Sequence, residues 1–217
     1  MSILTRSNLR NLVCIIALAF AICGCKQQAH HRHNISPPTA ILAAGDIAFR
    51  LGRSLQSNLI ASSGDSGNSY SHVGIILPIN NEWHVVHIEP KEDSIIDIIR
   101  HEPIEDFFAW EVASAGCVMR HKALTPPHRE MITCYAQQLL EKKITFDHDY
   151  RASDSTSMYC TELVERIYMP TGISLSQDRH HTLPMVAEPV IMPSDIAENA
   201  ELESIWRFNY EDLRPAR

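Results

Sequence analysis

Two apolar runs around the dipeptide Asn80-Asn81 constrain the fold more than any other feature of the sequence. The runs, Ser71–Leu77 and Trp83–Pro90, are rich in β-branched residues, and asparagine favours the tight turns of hairpins. If the dipeptide forms the turn, residues equally distant from it are paired, and apolar side chains then face apolar side chains. The sequence therefore predicts an antiparallel hairpin that buries one face.

The remaining pattern is a series of strands followed by helices. A Gly-Asp turn and a short apolar stretch lie in Ala43–Arg50. Further strands are expected at Ser94–Arg100, Gly116–His121 and Ile205–Tyr210, and helices at Ser54–Ser62, Pro103–Trp110, Pro126–Lys143, Tyr159–Met169 and after Pro193-Ser194-Asp195. This order is typical of an α+β fold, in which an antiparallel sheet packs against helices, and not of a doubly wound sheet.

The N-terminus has the features of an export signal. Arg6 and Arg10 precede the apolar run Leu12–Cys23, which is too short to cross a bilayer. The residues at 22–25 (ICGC) resemble a bacterial lipobox, although a cysteine replaces the usual alanine or serine. We therefore expect cleavage before Cys25 and a lipid on its sulfur. A plain secreted protein and a retained anchor are the alternatives.

This signal divides the chain into three segments. We expect a lipoprotein signal peptide at residues 1–24, lipidated Cys25 with a flexible tether at residues 25–42, and one domain at residues 43–217. Three tether histidines could hold a metal only loosely, and a solvated linker is the favoured interpretation: His30, His31 and His33. Lys26 rather than aspartate follows the lipid site, so the expected location is the bacterial outer membrane, facing the periplasm.

Composition narrows the class of protein. Hydrophobic residues make up 45% and charged residues 21% of the chain, which excludes a disordered chain and a polytopic membrane protein. The formal charge of −7 argues against nucleic acid as a partner, because phosphate binding requires a basic surface.

Four cysteines remain in the expected mature chain: Cys25, Cys117, Cys134 and Cys160. If Cys25 carries lipid, three thiols are left in an oxidising compartment, which suggests one pair and one free thiol. A disulfide between Cys117 and Cys134 and burial of each as a small apolar residue are both compatible with the sequence. A lone free thiol in this compartment is a candidate nucleophile.

Cys160, His72 and Glu89 form a candidate catalytic set. Cys160 opens an apolar-faced helix, where unpaired N–H groups and the helix dipole are expected to lower the thiol pKa. His72 lies on the face of its strand opposite the core residues, beside Gly74. The hairpin register places Glu89 directly across from His72, within reach of a hydrogen bond. These three residue types make a nucleophile, a base and a group that orients the base.

Two other patterns are interpreted as having no catalytic role. The loop at 64–67 (GDSG) is similar to the nucleophile loop of trypsin-like proteases, but the only histidines that precede Ser66 are those of the tether, outside the domain. His84 and His87 are three residues apart on a strand, so they point to opposite faces and cannot chelate one ion. We expect a structural role for this pair, with pocket lining by His87 as the alternative.

Four motifs occur in the order found in a known family: Gly45–Phe49, Tyr70–Ile75, Glu89 after an apolar strand, and Tyr159–Leu163. Together they resemble the YaeF/YiiX type of permuted papain-like amidases, relatives of the NlpC-type cell-wall hydrolases, over roughly residues 44–210. The resemblance implies a circularly permuted papain-like fold, in which the histidine strand precedes the cysteine helix.

The resemblance also implies a cysteine hydrolase acting on amide bonds. In this role Cys160 attacks the carbonyl, His72 transfers protons, Glu89 fixes the imidazole tautomer, and the Cys160 N–H helps bind the oxyanion. Thr161 in place of the common serine, and Pro90 in place of a small residue, depart from the family pattern without removing a catalytic group.

Substrate and partners are less constrained. Tyr70, Tyr159 and His87 are auxiliary candidates for lining the cleft, and packing roles for the tyrosines are equally open. Peptidoglycan stem peptides and lipid or small amides are both candidate substrates, and no metal or organic cofactor is needed. A lipid acyltransferase or esterase on the same fold, and a non-catalytic lipoprotein that binds a ligand in the cleft, are the alternatives. The expected partners are the membrane, through the lipid, and the substrate, without nucleic acid or an obligatory protein partner.

Overall fold

The computed structural model describes residues 35–62, 70–90, 97–151, 156–183 and 186–212. The predicted signal peptide, the lipidation site Cys25, the tether histidines and the loop at 64–67 lie outside these residues. Within the described ranges, no helix combines the length and the apolar character that crossing a membrane requires.

Eight strands and five helices make up the described part of the chain. The strands are β1 (Asp46–Gly52), β2 (His72–Ile79), β3 (Glu82–His87), β4 (Arg100–Pro103), β5 (Ala113–His121), β6 (Thr145–Phe146), β7 (Ser157–Met158) and β8 (Leu202–Asn209). The helices are α1 (Leu55–Ser62), α2 (Ile104–Phe107), α3 (Pro126–Lys142), α4 (Cys160–Tyr168) and α5 (Pro193–Ala197), with 3₁₀ turns at Thr39–Ile41 and Met169–Thr171.

Six strands form one antiparallel sheet in the order β4-β3-β2-β1-β5-β8, and β6 and β7 form a small parallel pair. The predicted hairpin is β2 and β3, in which Ile75 pairs with Val86. Asn80 and Asn81 have φ angles of 51° and 66°, the left-handed conformation that a type I′ turn requires. The predicted register and the α+β architecture are therefore confirmed.

Helices cover both faces of the sheet. On one face, Ile75 of β2 packs in the main core with Ile132 of α3 and Leu163 of α4. On the other face, Phe107 of α2 is fully buried in a second cluster with Val85 of β3. This arrangement places the first turn of α4 next to the beginning of β2, because the two elements pack against each other.

The structure differs from the predicted elements at the edge of the sheet. The first part of the predicted strand Ser94–Arg100 lies outside the described residues; within them, β4 occupies Arg100–Pro103, and Ile98 makes only an isolated bridge to Thr145. The pairing with β3, rather than apolar content, decides where this edge strand lies. The sequence predicts only a turn and an apolar run in Ala43–Arg50. In the structure, β1 begins within this segment and lies inside the sheet, between β2 and β5.

Two further expectations need correction. Helix α1 forms as predicted, but Leu55 and Leu59 of its apolar face are 84% and 68% exposed, because the helix lies outside the core. Cys117 and Cys134 are both free, so the disulfide alternative is wrong. Cys117 is buried beside the hydroxyl of Ser204, at 3.2 Å, whereas Cys134 is exposed on α3.

Candidate active site

Cys160 is the first residue of α4, and the local sequence explains why the helix begins there. The N-cap residue Tyr159 has extended backbone angles (φ −94°, ψ 171°) and directly follows β7. The helix then buries a face that includes Leu163 and Ile167 and packs against β2. Burial of this face fixes the first turn, so the half-buried Cys160 side chain is held at a cleft.

The cleft has a volume of about 1110 Å³, and Cys160, His72 and Glu89 all line it. Tyr159 lines it as well, and its hydroxyl accepts a hydrogen bond from the Ile191 N–H at 3.2 Å. The residues predicted to carry the chemistry therefore share one cavity. Among the described residues, however, the His72 ring makes its hydrogen bond to another side chain, not to the Cys160 thiol.

Two auxiliary candidates lie outside the cleft lining. Tyr70 packs against the main core, with its ring centroid 5.3 Å from that of Phe49. Burial, reinforced by Cys117, raises the pKa of the Tyr70 hydroxyl far above its ordinary value. His87 is fully buried on the sheet side of His72 rather than lining the cavity. Of the auxiliary candidates, only Tyr159 reaches the cleft.

The partner of His72 differs from the one expected. His72 Nε2 lies 2.9 Å from His87 Nδ1, whereas Glu89 Oε2 is 3.7 Å away. The hairpin pairing ends at Ile75 and Val86, so Glu89 lies beyond the end of β3, and its carboxylate oxygens bind Arg50 and Arg100. His87 therefore replaces Glu89 as the hydrogen-bond partner of the imidazole, because two guanidinium groups compete for the Glu89 carboxylate.

Gly74 makes the close approach of His87 possible. A Cβ atom at position 74 would lie 2.9 Å from the Cβ of His87 and 2.8 Å from the carbonyl oxygen of Val86. Real Cβ atoms essentially never come so close, so a side chain here would push β3 away from β2. The sequence reasoning found the open space beside His72, and the structure fills that space with the second histidine.

Burial determines the protonation states of His72 and His87. Burial lowers the pKa of His72 well below its ordinary value, although Glu89 opposes the shift. Burial likewise lowers the pKa of His87, opposed by Glu102, whose Oε1 lies 3.1 Å from His87 Nε2. Both imidazoles are therefore neutral at pH 7.

The two carboxyl groups remain ionised despite partial burial. Burial opposes ionisation of Glu89, but the guanidinium groups of Arg50 and Arg100, which bind both of its oxygens, outweigh it and hold the carboxyl pKa well below its ordinary value. For Glu102, burial is again outweighed, here by His87 and the same guanidinium groups, and the pKa is lowered. The site therefore combines two neutral imidazoles with two carboxylates and two guanidinium ions.

The thiol of Cys160 also differs from expectation. Burial raises its pKa to about 11, and the N–H groups of Val73, Thr161 and Cys160 itself, which favour the thiolate, do not compensate. The helix start does supply donors, as predicted, but Glu89 adds a negative charge that opposes ionisation of the thiol. Burial thus favours the neutral thiol at rest, in a cleft whose imidazole is also neutral.

Sequence reasoning missed the three charged residues that surround the histidines. Arg50 pairs with His72 across β1 and β2, is 5% exposed, and donates to the carbonyl oxygen of Phe107 at 3.1 Å. Its guanidinium also stacks on the Phe107 ring, 4.5 Å from the centroid. An arginine in the otherwise apolar run of β1 was the available signal. Arg100 and Glu102, on the short edge strand β4, had none.

One group of described residues has the donor types of a metal site: ligand atoms of His72, His87 and Glu89 lie within 4.8 Å of one another. The present contacts of these three side chains leave no position at which one ion could bind all of them. The facing ring nitrogens are 2.9 Å apart and share a proton, and both Glu89 oxygens are bound to guanidinium groups. A cation would have to displace Arg50 and Arg100 from the carboxylate, so these residues do not fit a resident metal.

Comparison with known proteins relates the chain to a family and to a solved fold. The family model of a permuted papain-like amidase enzyme, YaeF/YiiX, C92 family, matches residues 41–205. Among solved structures, the crystal structure of metalloprotein yiiX from Escherichia coli O157:H7 is similar, with a TM-score of 0.60 at 21% identity. This likeness covers 76% of the present chain and 97% of yiiX, and it concerns the fold. A search among curated proteins gives no significant match.

Proposed function

Because the chain belongs to the YaeF/YiiX, or C92, family of permuted papain-like amidases, we propose that it cleaves amide bonds as a cysteine hydrolase. Cys160 is the nucleophile and His72 is the general base. The observation that carries this proposal is the shared cleft, in which a helix-terminal thiol, an imidazole and a carboxylate meet. A binding protein has no need for this combination.

The proposed reaction starts from the neutral pair. His72 accepts the thiol proton at Nδ1, because Nε2 is engaged with His87, while the Cys160 sulfur attacks the substrate carbonyl. The backbone N–H of Cys160 donates to the oxyanion. The tetrahedral intermediate then collapses, the C–N bond breaks, and the imidazolium gives its proton to the leaving amine.

Water completes the cycle. It attacks the acyl-enzyme, His72 takes one proton, and the acid is released with regeneration of the thiol. Glu89 lies 3.7 Å from the His72 ring and stabilises the imidazolium that forms in both steps. Proton transfer from Cys160 occurs when the substrate is bound, because the thiol is neutral at rest.

We place this hydrolase at the cell envelope. The lipobox-like residues 22–25 support a diacylglyceryl group on Cys25, and the polar tether would let the domain reach substrates near the membrane. Replacement of Cys25 by serine should release the protein from the detergent phase or block its processing. A mature mass that begins at Met1 without lipid would contradict the anchoring proposal.

Peptidoglycan stem peptides are the substrate class that suits this compartment. Purified sacculi, incubated with the wild-type protein and analysed by mass spectrometry, should release peptide fragments. Cys160→Ala should release none, since the substitution deletes only the sulfur. Cys134→Ala is the matched control, because it removes an exposed thiol on α3 that is not part of the cleft lining. Equal products from Cys160→Ala and wild type would contradict the proposal.

A lipid amide or ester is the second candidate substrate, and the cleft lining favours it. One part of the lining is apolar and includes Ile60, Leu183, Val190 and Met192. Such a surface suits an acyl chain better than a stem peptide. The wild-type protein, Cys160→Ala and Cys134→Ala are therefore also compared on mixed lipids in detergent. The substrate class is the one whose products disappear in Cys160→Ala.

A further inference from the structure

We propose that His87 and Glu102 are positioning residues, which together hold the catalytic base in the one tautomer that can accept the thiol proton. The proposal rests on the hydrolase function above. It assigns the orienting role to a second histidine and a second carboxylate, and it leaves Glu89 as an electrostatic partner of the base.

The chain of contacts runs inward from the cleft. His72 Nε2 lies 2.9 Å from His87 Nδ1, and His87 Nε2 lies 3.1 Å from Glu102 Oε1. His87 is fully buried, and its Nε2 has no well-aligned hydrogen-bond partner among the described residues. Glu102 is held in turn by Arg50, at 3.5 Å. The far end of the chain is therefore an ionised carboxylate with a fixed position.

An ionised carboxylate can only accept hydrogen bonds. If His87 Nε2 carried a lone pair, two acceptors would face each other at 3.1 Å in a buried site, which is unfavourable. The proton of His87 must then reside on Nε2, so Nδ1 of the neutral ring is an acceptor. His72 Nε2 must in turn carry a proton and donate it to this acceptor.

This tautomer determines what the other ring nitrogen of His72, Nδ1, can do in catalysis. With its proton on Nε2, the neutral ring presents a lone pair at Nδ1, which is the nitrogen left for Cys160. Glu102 thus selects the tautomer of His87, and His87 selects that of His72. Gly74 belongs to the same arrangement, because its missing side chain lets His87 approach.

Glu89 cannot perform this selection in the observed geometry. It is 3.7 Å from His72 Nε2, beyond hydrogen-bond distance, and both of its oxygens bind guanidinium groups. Its charge still favours the imidazolium in the transition state. The two carboxylates therefore have separate roles: Glu102 acts through His87, and Glu89 acts through space.

Nitrogen-15 NMR of histidine side chains tests the tautomers without any substrate. At pH 7, the wild-type rings of His72 and His87 should both be neutral with the proton on Nε2, assigned by comparison with the His72→Gln and His87→Gln spectra. Glu102→Gln should abolish this preference, because an amide can also donate. A wild-type His72 ring protonated on Nδ1 would overturn the proposal.

Kinetics of acyl transfer from p-nitrophenyl acetate to Cys160 provide the second arm. His87→Ala should slow acylation about 100-fold and Glu102→Gln about 10-fold, the range expected for groups that orient a reacting side chain. His101→Ala, a histidine of β4 outside the cleft lining, is the matched control and should retain the wild-type rate. Unchanged acylation rates in both His87→Ala and Glu102→Gln would overturn the proposal. If wild-type Cys160 forms no acyl adduct, the proposed hydrolase function is wrong. The NMR measurement of the His72 and His87 tautomers then still tests the positioning role of His87 and Glu102.

Discussion

Two pairs of histidines on the same sheet have nearly the same geometry and very different surroundings. The rings of His72 and His87 meet edge to face with centroids 5.1 Å apart and nitrogens at 2.9 Å. Those of His84 and His101 meet at 4.9 Å with nitrogens at 3.0 Å. Geometry of the pair alone thus does not distinguish a catalytic from a structural role.

The environment makes the difference. The first pair is buried between ionised carboxylates and guanidinium groups and borders the cleft that holds Cys160. In the second pair, His101 is exposed, and His84 Nε2 lies 3.9 Å from the carboxylate of Glu82, whose side chain is 76% exposed. Solvent screens such a contact, so it contributes little to the position of the ring.

The largest expected effect contrasts one histidine from each pair. His72→Ala should reduce the rate of Cys160-dependent hydrolysis about 10³-fold, because the thiol loses its general base. His84→Ala should stay within about twofold of wild type, since its ring belongs to the pair outside the cleft lining. Steady-state rates on one common substrate are the measurement. A similar loss in both variants would mean that histidine pairs stabilise the sheet rather than serve catalysis.

The next effect concerns the carboxylate that faces the cleft. Glu89→Gln should slow hydrolysis about 10-fold, because it removes a charge that stabilises the imidazolium without removing an orienting hydrogen bond. It should also lower the free energy of unfolding in urea by about 1–3 kcal/mol, because Arg50 and Arg100 lose an ionised partner. If the rate falls as far as in His72→Ala, then Glu89 itself orients the base.

The smallest effect is the dependence of stability on pH. Because the folded-state pKa values of His72 and His87 are lowered, the unfolded chain binds more protons below about pH 6.5, and stability falls as the pH falls. Each ring contributes up to about 1.4 kcal/mol per pH unit. Glu162 opposes this trend. Burial raises its pKa to about 7, so the folded state binds this proton more tightly than the unfolded chain, and the contribution to stability rises as the pH falls.

Urea unfolding between pH 5.5 and 7.5 measures this slope. His87→Ala should flatten it, because one of the two rings of the buried pair is gone. His180→Ala removes an exposed ring, and we expect it to keep the wild-type slope. An unchanged slope in His87→Ala would show that the buried pair is not neutral in the folded state, which would remove the proposed difference between the two pairs.

Local sequence signals were sufficient for the hairpin and for the helix start. The turn at Asn80-Asn81 and the alternation on both strands determine which residues are paired, and both signals lie within about twenty residues. The position of Cys160 at the first turn of α4 follows from the apolar spacing after it. These features depend on neighbours in the chain, so the sequence contains them directly.

The protonation of the site depends on contacts between distant segments, which the sequence does not reveal. Arg50 comes from β1 and Arg100 from the edge strand β4, and together they draw Glu89 away from the base. The alternation of a strand puts His87 and Glu89 on one face, but only the tertiary structure shows that β3 ends at His87. The helix-terminus argument for Cys160 likewise considered the dipole without the burial that opposes it.

Acylation of the protein by p-nitrophenyl acetate, followed by peptide mass spectrometry, tests the central claim most directly. The account predicts an initial burst of p-nitrophenol and an acetyl group on Cys160, absent in Cys160→Ala and strongly slowed in His72→Ala. The exposed Cys134 reports the background reactivity of an ordinary thiol in the same sample. Acetylation of Cys134 at an equal or higher rate than Cys160, or a rate at Cys160 that does not depend on His72, would contradict the assignment of nucleophile and base.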